Sequence, residues 1–184
     1  MSDFIVTILQ HVLLTLGRGI GSHMALNILH LLTLLSSGLI AGLFYAYSCS
    51  VNNGLGRLHD AAYLRAMQSI NRAILNPLFF LSFFGTLILL PLSTWLEYRL
   101  VGTTTAFYFL TAGSILYFFG VFLTTALGSV PLNDALEAFD LDEETDDGIR
   151  KQRRAFESPW NRYHRIRTVA NVLAFAAAIW AFLQ

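Results

Sequence analysis

Four stretches of the chain run for roughly the 20 residues that a helix needs to cross a bilayer, with hardly a charged side chain in them. The first is Leu26 to Ser48, the second Pro77 to Trp95 and the third Thr104 to Leu127. The fourth, Val169 to Leu183, is shorter, and its helix is expected to begin near Pro159 with polar first turns outside the hydrocarbon. Inside a bilayer the backbone must satisfy its own donors and acceptors, so such stretches become helices. The pattern therefore predicts an all-α integral membrane four-helix bundle. Gly38 and Gly42 in the first span have the small-xxx-small spacing that lets a neighbour approach closely, in this chain or in a homo-oligomer. Tyr45, Tyr47, Trp95, Tyr98, Tyr108, Trp160, Tyr163 and Trp180 fall mostly near span ends, where amphipathic rings favour the headgroup level.

The polar segments differ from one another. Between the first two spans, Leu58, Ala61, Ala62, Leu64, Met67, Ile70 and Ile74 recur at three- and four-residue intervals. Leu58 to Leu75 is thus an amphipathic helix before the second span, with Arg65, Gln68 and Arg72 on its other face. After the third span, Asn133 or Asp134 followed by Glu137 has the form of a helix start. Asp140 to Asp147 is strongly acidic and Arg150 to Arg154 strongly basic, a charge pattern of exposed connection. At the other end of the chain, Gly21-Ser22-His23-Met24 has the form of a tag junction. Residues 1–23 are accordingly expected to be an expression-tag leader or a natural interfacial segment, and 24–184 a single four-span domain.

Composition narrows the function classes. Residues are 55% hydrophobic and 13% charged, about half the ~25% charge of soluble domains. The 12 basic and 12 acidic side chains cancel, so nothing draws the chain to nucleic acid; its partner is the lipid bilayer. One cysteine, Cys49, leaves no internal disulfide, CxxC redox pair or thiolate zinc site. The cations are distributed unevenly. Three arginines precede the second span and seven basic residues lie between the third and fourth, against Arg99 alone in the opposite connection. By the positive-inside rule, connections 49–76 and 128–168 are cytoplasmic and both termini outside, in a multi-pass protein of the inner (plasma) membrane.

Candidate chemistry sits in those two connections. Asn71 and Asn76 flank the point where the amphipathic helix meets the membrane, and each either lines a polar cavity or bonds a neighbouring helix. Asp134 is either part of a helix cap or a carboxylate that orients a base. On a helix, Trp160, Tyr163, His164 and Arg167 form one stripe at i, i+3, i+4 and i+7. That stripe offers an aromatic wall, an imidazole and a guanidinium, suited to a planar anion or an acidic proton; its alternative reading is an aromatic belt with snorkelling cations. His30 in the first span is a second candidate base or a hydrogen-bonded packing residue, and His59 is a surface residue.

From Met24 onward the chain resembles the membrane family that groups bacterial proteins of unknown function with fungal anthrone oxygenases. The resemblance lies in Ala41-Gly42-Leu43-Phe44-Tyr45, in Met67-Gln68-Ser69-Ile70-Asn71 with Asn76-Pro77, in Pro131-Leu132-Asn133-Asp134 and in Trp160 through Arg167. It implies oxygenation of a hydrophobic polycyclic aromatic or polyketide-type ketone with no cofactor and no metal. In that chemistry, removing a proton from the activated methylene yields an enolate that reduces dioxygen directly. The resemblance implies His164 with Asp134 as proton handlers, Arg167 with Asn133 or Asn71 at the enolate oxygen, and Trp160 as a wall of the slot, with Tyr163 and Asn76 nearby. The alternative is a non-enzymatic membrane scaffold that packs through Gly38 and Gly42 and presents its charged connection to another protein. An enzyme needs these polar residues around one cavity; a scaffold does not.

Overall fold

The structure is a computed structural model; it describes the backbone from Ser2 and side chains from Met24 to Gln184. The expected separate leader, residues 1–23, lies outside the described side chains. Helix α1, Ser2–Ala46, runs on through a π-helical turn, Tyr47–Val51, and ends with Asn52–Leu55. Helix α2 is Asp60–Ala73 and α3 is Pro77–Leu100. Helix α4 spans Thr105–Glu137, with two π-helical stretches, Leu116–Leu123 and Thr125–Ser129, in its middle. Helix α5 is Asp146–Phe182. Met24–Leu55, α3, α4 and α5 are each long and apolar enough to cross a membrane.

These four helices close a ring in which α1 packs on α3, α3 on α4, α4 on α5 and α5 on α1. Lipid offers no hydrophobic drive for helices to associate, so close packing and short polar bonds hold the ring. Thr33 Oγ1 lies 2.8 Å from Ser93 Oγ, and Ser36 Oγ lies 3.0 Å from Thr86 Oγ1. Tyr117 donates to the Phe83 carbonyl at 2.8 Å, and the buried Glu97 accepts from Thr104 Oγ1 at 2.6 Å. Gly120 abuts Ala170 so closely that a Cβ there would collide with it, which brings α4 and α5 together. Gly38 likewise touches Phe175 of α5, whereas Gly42 is exposed and a Cβ there would meet nothing within 4 Å among the described residues. Only one of the two paired glycines therefore serves the bundle.

Two boundaries differ from the sequence reading. Asn133 and Asp134 do not begin a helix: α4 passes through them without interruption and ends at Glu137, after Pro131 has taken a position near the start of the last α-helical segment. Helix α5 begins not near Pro159 but at Asp146, capped by Thr145 Oγ1, which accepts from the Gly148 amide at 3.2 Å. The determining signal is Thr145 followed by Asp146 and Asp147, a cap plus two acids at the positive end of the helix dipole. Pro159 costs one internal bond, which the surrounding packing tolerates. The basic run is thereby helical. Arg153 lies only 14% exposed and bonds Asp60 (2.9 Å), Glu157 (2.8 Å) and the carbonyls of Gly56 and Leu58.

Outside the ring, α2, the end of α4 and the start of α5 form a cap around a second core of Tyr63, Leu64, Met67, Leu136, Leu141, Ile149, Phe156 and Trp160. The amphipathic helix thus buries its apolar stripe against protein, with Tyr63, Leu64 and Met67 inside. Arg65–Asp142 and Arg72–Glu137 pair across its outer face.

Candidate functional site

At the seam between ring and cap lies an apolar slot of about 210 Å³. This is below the ~300–1,000 Å³ of drug-sized sites, so its occupant is compact. Its walls come from all five helices. Phe44 and Tyr47 come from α1, Ile70, Asn71 and Ile74 from α2, and a run of phenylalanines from the first turns of α3. Phe122, Thr125 and Asn133 come from α4, and Trp160 and Arg167 from α5. Leu75, Phe80, Phe84 and Val130 line it while remaining exposed, so the slot opens sideways among exposed apolar residues. Tyr47 and Thr125 both lie in π-helical turns, which place side chains off the regular helical stripe.

Arg167 supplies the charge. It is 9% exposed, and its guanidinium carbon sits 4.6 Å from the Phe44 ring centre and 5.1 Å from that of Trp160. Among the described residues no carboxylate pairs with it; its nitrogens make only long contacts of 3.3 and 3.4 Å to Nδ1 of His164. A buried cation without an anion is costly, and aromatic faces compensate only part of that cost. Near it, the Asn71 Nδ2 and Thr125 Oγ1 atoms are buried with no hydrogen-bond partner. An apolar slot with one unneutralised cation and two unpartnered polar atoms is complementary to a flat molecule carrying oxygens, one of them anionic.

His164 stands behind the wall rather than in it. It is 1% exposed, and its ring is stacked on Trp160 at 5.2 Å with an interplanar angle of 6°. Because an arginine can only donate, Nδ1 must be the accepting nitrogen, and Nε2 carries the proton toward Ser48 Oγ at 3.0 Å. The imidazole in this arrangement is neutral. Ser48 also lies 3.3 Å from Thr168 Oγ1, and both His164 and Ser48 line a polar groove of about 940 Å³ on the far side. The larger concavity is the less selective one, being open and lined by exposed polar side chains such as Asn53 and Arg57.

Of the residues singled out from the sequence, Trp160, Arg167, Asn71 and Asn133 meet at the slot, with His164 adjoining. Asn133 Oδ1 accepts from Trp160 Nε1 at 3.0 Å, which fixes the indole as a wall. Three others are placed elsewhere. Asp134 is exposed, makes no side-chain hydrogen bond among the described residues, and is not among the neighbours of His164. The expected His164–Asp134 pairing therefore does not form, because α4 continues as a helix and turns Asp134 outward. Asn76 caps α3, accepting from the Phe79 amide at 3.1 Å and donating to the Ala73 carbonyl at 2.8 Å, so its amide is spent locally. Tyr163 lies flat against Gly128, where a Cβ would come within 2.7 Å of its ring. Sequence reasoning missed Phe44, Tyr47, Ser48 and Thr125. The first three share a stripe at i, i+3 and i+4 that was visible, but Tyr47 has the form of a belt residue until α5 is packed beside it. His30 is buried in the ring beside Phe182, with Nε2 unpartnered, far along α1 from the slot.

The model of the anthrone oxygenase family matches residues 79–177, more than half of the chain. The chain belongs to the anthrone oxygenase family. The matched region holds most of α3, all of α4 and most of α5, and with them Asn133, Trp160, His164 and Arg167. No curated protein and no solved structure matches it. The family assignment agrees with four apolar helices and an oxygenase-like role, and leaves the substrate to be argued from the slot.

Proposed function

We propose that this anthrone oxygenase family member oxidises a flat aromatic ketone with dioxygen inside the slot at the seam. The carrying observation is Arg167, a buried cation held between Phe44 and Trp160 with no carboxylate partner among the described residues. A ketone whose methylene lies between two aromatic rings loses a proton to give an enolate. The negative oxygen then rests against Arg167, the ring system stacks within the aromatic walls, and Asn71 Nδ2 is free to donate to a ligand oxygen. His164 Nδ1 is the accepting nitrogen closest to that charge. The enolate carbon reduces dioxygen to a bound peroxide, and loss of one water leaves a second carbonyl: CH2 plus O2 becomes C=O plus H2O.

The lipid-side mouth suits a substrate that partitions into the bilayer, and the cation bias supports cytoplasmic connections, in an inner membrane with both termini outside. The test uses purified protein in detergent with anthrone, following oxygen uptake and anthraquinone absorbance. The parent is expected to accelerate conversion over the protein-free rate. Arg167→Met, which preserves much of the side-chain volume, is expected to lower the rate about a hundredfold or more, as removal of an oxyanion donor does. It should not lower thermal stability, because it removes an uncompensated buried charge. A parent no faster than the protein-free rate with anthrone and its hydroxylated analogues overturns the reading.

A further inference from the structure

The slot and the polar groove share no lining residue, yet one chain of side chains crosses the partition between them. Arg167 lines the slot and touches Nδ1 of His164; Nε2 of the same ring faces Ser48 Oγ at 3.0 Å; His164 and Ser48 both line the groove. The Thr168 hydroxyl also lies 3.4 Å from Nε2 and the Phe44 backbone carbonyl is a further hydrogen-bonding neighbour of the imidazole; its other neighbours are aromatic. Trp160 stacks on one face, Phe44 and Tyr47 flank it at 6.0 Å, and Thr168 Oγ1 is committed to the His164 carbonyl at 2.7 Å. A 1%-exposed imidazole with one nitrogen toward each compartment is the arrangement a proton needs to pass from one side to the other. The charged groups on the groove side are Arg57, Arg154, Glu157 and Arg165, around an open, polar volume.

From this geometry we infer that His164 and Ser48 form a proton relay from the slot to the groove, with Arg167 covering its slot-side nitrogen until the ketone oxygen of a ligand draws the guanidinium away. The inference rests on the oxygenase reading and adds Ser48, a residue that touches no substrate and acts through His164. The contacts of 3.3 and 3.4 Å that cover Nδ1 are long enough to be lost cheaply, whereas a charge-assisted bond from the guanidinium to the ketone oxygen is short and strengthens as that oxygen becomes the enolate. Proton balance is conserved. Nδ1 gains the proton from the ligand carbon, Nε2 gives its proton to Ser48 Oγ, and the Ser48 hydroxyl gives its own to water in the groove. The ring is left neutral in its other tautomer. The reverse passage returns one proton when the peroxide forms, so the net reaction releases none. The arrangement makes a specific demand: without dioxygen to trap the enolate, ligand hydrogen must exchange with solvent.

The experiment incubates the full chain in detergent with anthrone in heavy water, without oxygen, and reads deuterium at the methylene carbon by mass spectrometry against a protein-free blank. Aerobic turnover is measured in parallel. The expected result is exchange well above the blank for the parent, reduced about tenfold or more in Ser48→Ala, a modest share of what a positioned proton-transfer group contributes. Anthrone affinity should be unchanged in Ser48→Ala, and exchange should be restored in Ser48→Thr, which keeps a hydroxyl. A purely structural Ser48 would alter stability without this isotope signature. Exchange in Ser48→Ala equal to the parent overturns the relay. A parent that oxidises anthrone but does not exchange above the blank overturns the relay while the oxygenase reading stands, and needs no variant to fold. A parent that neither oxidises nor exchanges overturns the oxygenase reading and the relay with it.

Discussion

The ring and the cap each have a hydrophobic core, and the two are built for different solvents. The ring core of Ile40, Phe44, Phe83, Leu90, Leu110, Tyr117, Val121 and a column of alanines on α5 is surrounded by outward leucines and phenylalanines. Its cohesion comes from small residues and hydroxyl bonds, because moving apolar side chains from lipid to protein gains little. The cap core of Leu64, Met67, Leu136, Phe156 and Trp160 is closed on its outer side by arginine–carboxylate pairs, as a core facing water is. Neither core alone contains the slot. Phe44 and Phe83 belong to one, Trp160 to the other, and Arg167 lies where the two meet. The lesson is that a small membrane protein can place a charge at low polarity by housing it at the junction of two packings, one of apolar spanning helices and one closed by ion pairs.

If the cap is an independent contributor, Trp160→Ala carries the largest effect. It removes a 3%-exposed indole that is at once cap core and slot wall, and should destabilise the protein by about 3–5 kcal/mol, read by thermal or denaturant unfolding. Trp160→Phe separates the roles: most packing is kept, the 3.0 Å bond to Asn133 is lost, and the slot loosens. Next in size, Arg153→Ala should cost about 1–2 kcal/mol, because it removes a mostly buried arginine that ties Asp60, Glu157 and two backbone carbonyls together at the cap base, although those partners are themselves open enough for water to replace it in part. Protease cleavage between residues 56 and 60 should rise while the spanning helices stay protected. Equal loosening of ring and cap would show them to be one cooperative unit.

Smaller effects probe the slot itself. Asn71→Leu removes a buried donor that has no protein partner among the described residues, so stability should hold or rise while ligand affinity falls about tenfold. Loss of stability without loss of affinity would make Asn71 a packing residue. Asp134→Asn should leave turnover unchanged and stability within about 0.5 kcal/mol, since the carboxylate is exposed and bonds nothing among the described residues. A large loss of activity there would mean that the carboxylate reaches His164 in a conformation different from this one.

Within the sequence, the four spans, the amphipathic helix and the stripe from Trp160 to Arg167 were legible because each depends on local periodicity, and local periodicity survives in any tertiary arrangement. The order of residues also carried the family resemblance, and with it Asn71, Asn133, Trp160, His164 and Arg167 as a group. Helix ends were less legible: Thr145 with Asp146 and Asp147 competed with Pro159 for the start of α5, and packing of Ile149 and Phe156 into the cap decided for the earlier one. What only the tertiary structure decided is which polar atoms were already satisfied. Asn71 and Asn76 are the same residue type five positions apart, yet one caps a helix and the other faces the slot unpartnered. His164 and Arg167 share a stripe, yet the arginine lines the slot and the imidazole lies behind it, because the face of α5 must divide between Phe44 on one side and Ser48 on the other. Periodicity sets which side chains share a face; the neighbouring helices, through burial and hydrogen bonding, set what each one is left free to do.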